Sequence, residues 1–152
     1  MRSALILANR TVRGPELIAA VKERLASDTY QFHLLVPVTS SVSTSIALGG
    51  MAVDTLPMDA LDLPNERAKA EERLVLGLDW LARLGVPATG EVITDADTVV
   101  AVCRVVKERS IDEVIISTLP TTLSRWLRQD LPHRIERKVA VPVTVVTSKT
   151  AS

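Results

Sequence analysis

Short apolar runs alternate with amphipathic stretches along this chain. Leu5 to Ala8 is continuously apolar, as expected of a strand covered on both faces. Gly14-Pro15-Glu16 reads as a helix start, because proline is tolerated at the first helical position and an acid there suits the dipole. Leu17, Ile18, Val21 and Leu25 supply that helix's apolar face. Tyr30 to Val38 reads as a second strand, with Pro37 marking its end. A second helix opens at Pro64-Asn65-Glu66. Ala70, Leu74, Gly77, Leu78, Leu81 and Leu84 form its stripe, and Gly85 then Pro87 close it.

The same alternation continues to the end. Glu91 to Thr94 is expected to be a third strand. Asp95 is placed to cap a helix from Asp97 to Arg109, whose Val99, Val102, Cys103 and Val106 face inward. Val114-Ile115-Ile116 reads as a buried strand, followed by a hydroxyl-rich turn, Ser117-Thr118-Leu119-Pro120-Thr121-Thr122. A helical run and a last strand, Val141 to Val146, complete the pattern. Strands and helices alternating at this spacing imply α/β architecture: a five-stranded parallel sheet, helices on both faces, right-handed crossovers. Residues 1–148 are expected to form one domain and 149–152 a flexible tail. The stretch 40–64 is long for a connection inside a compact domain and reads as a surface loop.

Composition narrows the classes. At 152 residues the chain can bury a full core, and 3% aromatic residues leave Val, Leu, Ile and Ala to build it. Eighteen basic residues balance 18 acidic ones, so no global field draws nucleic acid or an anionic membrane. A single cysteine, Cys103, permits no internal disulfide and suits a reducing compartment; on its apolar stripe it reads as a buried, inert thiol. The N-terminal apolar run is too short for a signal peptide, and no window reaches a membrane span of ~20 apolar residues, so a cytoplasmic location is expected.

In a parallel α/β sheet, ligands bind at the carboxyl ends of strands where the topology reverses. The turn Asn9-Arg10-Thr11-Val12-Arg13-Gly14 and the turn starting at Ser117 should therefore meet. Ser117, Thr118, Thr121 and Ser124, with Arg125 and Arg128, have the chemistry to bind a small anion at a helix start, and Arg10 and Arg13 would add charge. Arg125, Arg128, Arg134, Arg137 and Lys138 form a basic group that Asp130 and Glu136 dilute, which favours a solvated helix face over a nucleic-acid surface. His33 and His133 belong to different elements, and no Cys/His spacing indicates a metal. No G-x-S-x-G elbow is present. Trp80 and Trp126 fall on helices, where packing explains both.

Asp112-Glu113-Val114-Ile115-Ile116, the helix end Arg134-Ile135-Glu136-Arg137, and Ala140-Val141-Pro142-Val143-Thr144-Val145-Val146 carry a resemblance to the universal stress protein family that covers nearly the whole chain. The resemblance implies a Rossmann-like fold. It also implies pairing into a homodimer through the closing strand. ATP-binding members hold the ribose with an acid just after the first strand. They hold the phosphates with a Gly-x-x-Gly turn after the fourth strand and, beyond a spacer, a Gly-Ser/Thr pair. Matched onto this chain, the acid falls at Asn9, the turn glycines at or next to Ser117 and at Pro120, and the last pair at Gln129-Asp130.

Every carried position departs from that pattern. Asn9 keeps hydrogen-bonding capacity for a sugar hydroxyl. Pro120 removes an N–H and fixes φ near −65°. A carboxylate at Asp130 beside a triphosphate costs on the order of 4 kcal/mol per unit charge at ~4 Å, against ~0.3–1 kcal/mol returned by a helix N-terminus. Asp130-Leu131-Pro132 reads instead as a helix start with the acid as cap. The expectation is a non-enzymatic regulatory or protein-interaction module without cofactor, with ATP and AMP disfavoured. The alternative is a small-anion or nucleotide sensor using Asn9, Arg10, Arg13, Pro37, Ser117, Thr118, Pro120, Thr121, Ser124, Arg125, Arg128 and Asp130.

Overall fold

The structure is a computed structural model that describes residues 1–8, 12–38, 63–94, 98–118 and 131–147. Its elements run β1 (Arg2–Leu7), α1 (Pro15–Ser27), β2 (Tyr30–Pro37), α2 (Leu63–Arg83), β3 (Ala88–Ile93), α3 (Thr98–Arg109), β4 (Glu113–Thr118), α4 (Leu131–Val139) and β5 (Val143–Thr147). The strands form one sheet in the order β3-β2-β1-β4-β5, and every neighbouring pair is parallel. The expected α/β class and five-stranded parallel sheet are therefore present.

Period-two alternation sorts the core into two layers. Ala4, Ile6, Phe32 and Leu34 face α1 and α2, where Leu17, Val21, Ala70 and Leu81 meet them. Leu5, Leu7, Leu35, Val114 and Ile116 face α3 and α4, where Val99, Val102, Val105 and Ile135 meet them. This division follows from crossover handedness. The chain steps outward from β1 through β2 to β3, then returns past β1 to β4 and β5. A right-handed crossover places its helix on one face for outward steps and on the other for the return. Each fully buried Leu or Ile in these layers contributes about 1.5–3 kcal/mol.

Helix ends follow local chemistry. Gly14 is the N-cap of α1, with Pro15 in its first turn and Glu16 beside it. At the end of α2, Gly85 adopts φ 79°, a region that costs other residues Cβ strain. Its N–H donates to Ala82 O at 2.9 Å, and the N–H of Val86 reaches Leu81 O at 3.4 Å. This is the Schellman arrangement, and Val86 packs with Leu81 in the same apolar layer.

Several expected boundaries move. β3 starts at Ala88 rather than Glu91. Gly90 pairs with Leu34 there and allows α2 to approach, which apolar patterning does not reveal. β4 extends to Thr118, so Ser117 and Thr118 are ladder residues opposite Val146 and Thr147 rather than turn residues. β5 begins at Val143, because Pro142 lacks an N–H and Ala140 has φ 56°. Cys103 is half-buried at the margin of the α3 layer rather than enclosed in it. Within 40–64, Leu63 and Pro64 open α2, and residues 40–62 lie outside the described residues.

Candidate functional site

β1 lies at the reversal point, between β2 and β4. Helix α1 packs on one face and α4 on the other, so the carboxyl ends of β1 and β4 mark the topological switch point, where ligands bind in sheets of this kind. Leu7 is level with Ile116 in the sheet, and Ser117 and Thr118 continue β4 beyond that pair. Both are buried, at 2% and 3% exposure. Pro37 ends β2, next to the carboxyl end of β1, and is buried opposite Ile93.

Beyond β1 the chain turns through Val12 and Arg13 into α1. Val12 is buried and Arg13 is exposed. The indole Nε1–H of Trp80 on α2 donates to Val12 O at 2.5 Å, which fixes the turn against the helix layer. Sequence reasoning assigned Trp80 to packing and missed this bond. The usable signal was the polar end of an indole on an apolar stripe, because a buried Trp N–H needs an acceptor. Of the expected site residues, Arg13, Pro37, Ser117 and Thr118 sit at the carboxyl end of the sheet. Asn9, Arg10, Pro120, Thr121, Ser124, Arg125, Arg128 and Asp130 lie outside the described residues. Helix α4 begins at Leu131, where the Asp130-Leu131-Pro132 pattern places a helix start.

At the amino end of the sheet a different set of polar groups collects. His33 on β2 is 3% exposed, and its Nδ1 lies 2.7 Å from Thr89 Oγ1 on β3. Burial first, and the Arg109 cation second, hold its imidazolium form off and bring its pKa down to about 4. On the opposite face, Arg24 Nε of α1 pairs with Glu113 Oε1 of β4 at 3.1 Å, and Arg24 Nη2 donates to Thr144 Oγ1 of β5 at 3.3 Å. Burial, then the Glu113 carboxylate, raises the pKa of Tyr30 beside this pair. Among the described residues no group of His, Cys, Asp and Glu could hold a metal ion, and no helix is long and apolar enough to cross a membrane.

No protein-family model matches the chain. No curated protein matches it either. Solved structures do. A universal stress protein family protein from Arabidopsis thaliana, determined with AMP bound, superposes with a TM-score of 0.63 at 14% identity, covering 99% of this chain and 94% of that one. The hypothetical protein MJ0577, the subject of a structure-based assignment of biochemical function, gives a TM-score of 0.56 at 13% identity and covers 99% of this chain and 98% of that one. At such identities the likeness resides in element order and packing. The chain has the universal stress protein fold.

Proposed function

We propose that this chain is a non-enzymatic regulatory or protein-interaction module built on the universal stress protein fold, with the usual means of gripping ATP lost. One observation carries the reading. The sheet order makes β4 the neighbour of β1, and Pro120 and Asp130, which follow β4 in the sequence, stand where the resemblance puts the phosphate-holding residues of ATP-binding members. A proline offers no N–H to a phosphate, and a carboxylate repels it. The module acts as a homodimer through the edge strand β5 and needs no cofactor. Thermal shift with ATP, AMP and cyclic nucleotides tests it. No stabilisation by any of them is expected, and an ATP-dependent rise in melting temperature that Asn9→Ala removes overturns the proposal.

A second reading has one observation in its favour: the Arabidopsis protein of this fold was determined with AMP bound. In that reading the switch point accepts AMP or inorganic phosphate in an altered pose, using Arg10, Arg13, Arg125 and Arg128. Stabilisation by phosphate or AMP, but not by ATP, that disappears in Arg125→Ala or Arg128→Ala supports it.

A further inference from the structure

β5 is a short edge strand, Val143–Thr147, and none of its residues is fully buried. Val143 touches the α3 and α4 layer and Val146 the α1 and α2 layer, both from the margin. The N–H of Val114 donates to Pro142 O at 2.9 Å. Successive strand residues turn their main-chain groups to alternate sides. Thr144 and Val146 therefore turn theirs toward β4, and Val143 and Val145 turn theirs to the free edge.

A polar tether supplements this thin apolar anchoring. Helix α1 lies over β5, and Arg24 stands in its last turn. Arg24 Nε donates to Glu113 Oε1 of β4 at 3.1 Å, Nη1 to Ala20 O of α1 itself at 3.1 Å, and Nη2 to Thr144 Oγ1 of β5 at 3.3 Å. Each nitrogen has its own partner, so the planar fork is held at three corners. Glu113 is fixed in turn, because it is buried and shares a hydrogen bond with the Tyr30 side chain on β2. The tether thus runs from the interior of the sheet to its edge.

We infer that Arg24 is a positioning residue for the edge of β5, a role that rests on the proposed pairing of copies through that strand. By holding Thr144 from the α1 side, Arg24 fixes the neighbouring Val143 and Val145, whose outward main-chain groups a second copy would engage. An edge ordered before encounter loses less conformational entropy when it pairs. Lysine cannot take over this role. An ammonium keeps the attraction to Glu113 but lacks the fork that reaches Ala20 O and Thr144 together.

Thr144→Val removes the acceptor and leaves the Arg24–Glu113 pair, whereas Arg24→Lys keeps the charge and loses the fork. Amide exchange and sedimentation equilibrium on the full chain test both variants against the parent. The Val146 amide, turned toward β4, reports the ladder, and the outward Val145 amide gains protection when copies pair. In both variants Val146 should exchange faster and the dimer should dissociate about five-fold more readily. The Ile6 amide in the central strand should keep its rate in Thr144→Val. Unchanged Val146 exchange in Thr144→Val overturns the positioning role, as does an unaltered dissociation constant in a dimeric parent. Equal acceleration at Ile6 does the same, because it marks a loss of overall stability. A monomeric parent whose Val146 exchange is still accelerated in both variants removes the pairing and supports the tether.

Discussion

Trp80 holds Val12. The indole N–H of one meets the main-chain oxygen of the other at 2.5 Å across 68 residues of sequence, and so couples the turn after β1 to helix α2. That turn lies at the carboxyl end of β1, at the switch point of the sheet. Its position is set by a side chain that contacts no expected ligand.

Trp80→Phe should keep most of the apolar contact and lose the bond. The expected loss is about 1–2 kcal/mol in urea unfolding, with faster amide exchange at Val12 and Arg13. Unchanged exchange at those two amides would show that the turn is held by something else.

Arg24 and Glu113 tie α1 to β4, and Thr144 brings in β5. The side chains are 16% and 10% exposed, so removing one partner strands the other in a poorly solvated place. Arg24→Met is expected to cost about 2–3 kcal/mol, and the double change with Glu113→Leu to cost less than the sum of the singles. Additive singles in a double-mutant cycle would show no coupling.

His33 makes stability sensitive to acid. The native ring resists protonation down to about pH 4, whereas an unfolded chain takes the proton near 6.5. Between those values the unfolded state binds a proton that the native state lacks, so stability falls as pH drops from about 6.5 to 4 and is unaffected by this group above 7. The contribution is at most ~3 kcal/mol. Chemical denaturation across that range should show a positive slope with pH that shrinks in His33→Phe.

Gly90 sits under α2. A Cβ there would lie 2.5 Å from Leu74 Cδ1 and 2.9 Å from the main-chain oxygen of Leu34. The leucine tip can rotate, but the carbonyl is fixed in the ladder. Gly90→Ala should therefore destabilise by about 1–3 kcal/mol. Gly85→Ala meets open space and should lose only about 1 kcal/mol, from its positive φ alone. Melting temperatures in the reverse order would contradict the packing account.

β5 is an edge of the sheet, and its Val145 is 37% exposed. If copies pair along this edge, Val145→Lys places a charge in the joint. Light scattering is expected to report a dimer for the parent chain and a monomer for the variant. A monomeric parent at micromolar concentration removes the dimer from the proposal.

Much of the architecture was legible because its signals are local. The apolar run at Leu5–Ala8, the Gly85/Pro87 stop and the valine stripe of α3 each announce an element from a few adjacent residues. Boundaries at Ala88, Thr118 and Val143 were less legible, because partners on other strands decide them. The Trp80–Val12 bond and the Arg24–Glu113 pair join distant segments, and no spacing rule encodes them. The switch point beside β1 was legible from the alternation of elements. Its chemistry rests on residues such as Asn9, Pro120 and Asp130, which lie outside the described residues.

The middle strand acquires its two neighbours at very different moments of synthesis. Residues 30–35 arrive soon after β1, but the other flank needs residues 113–116. At ~5–20 residues per second, a nascent chain spends seconds with one side of β1 unclothed. An apolar strand edge bared for that long is a target for chaperones, and for the same strand in a neighbouring nascent chain. Slowing translation before codon 113 should therefore lower the yield of folded protein more than an equal pause after β5.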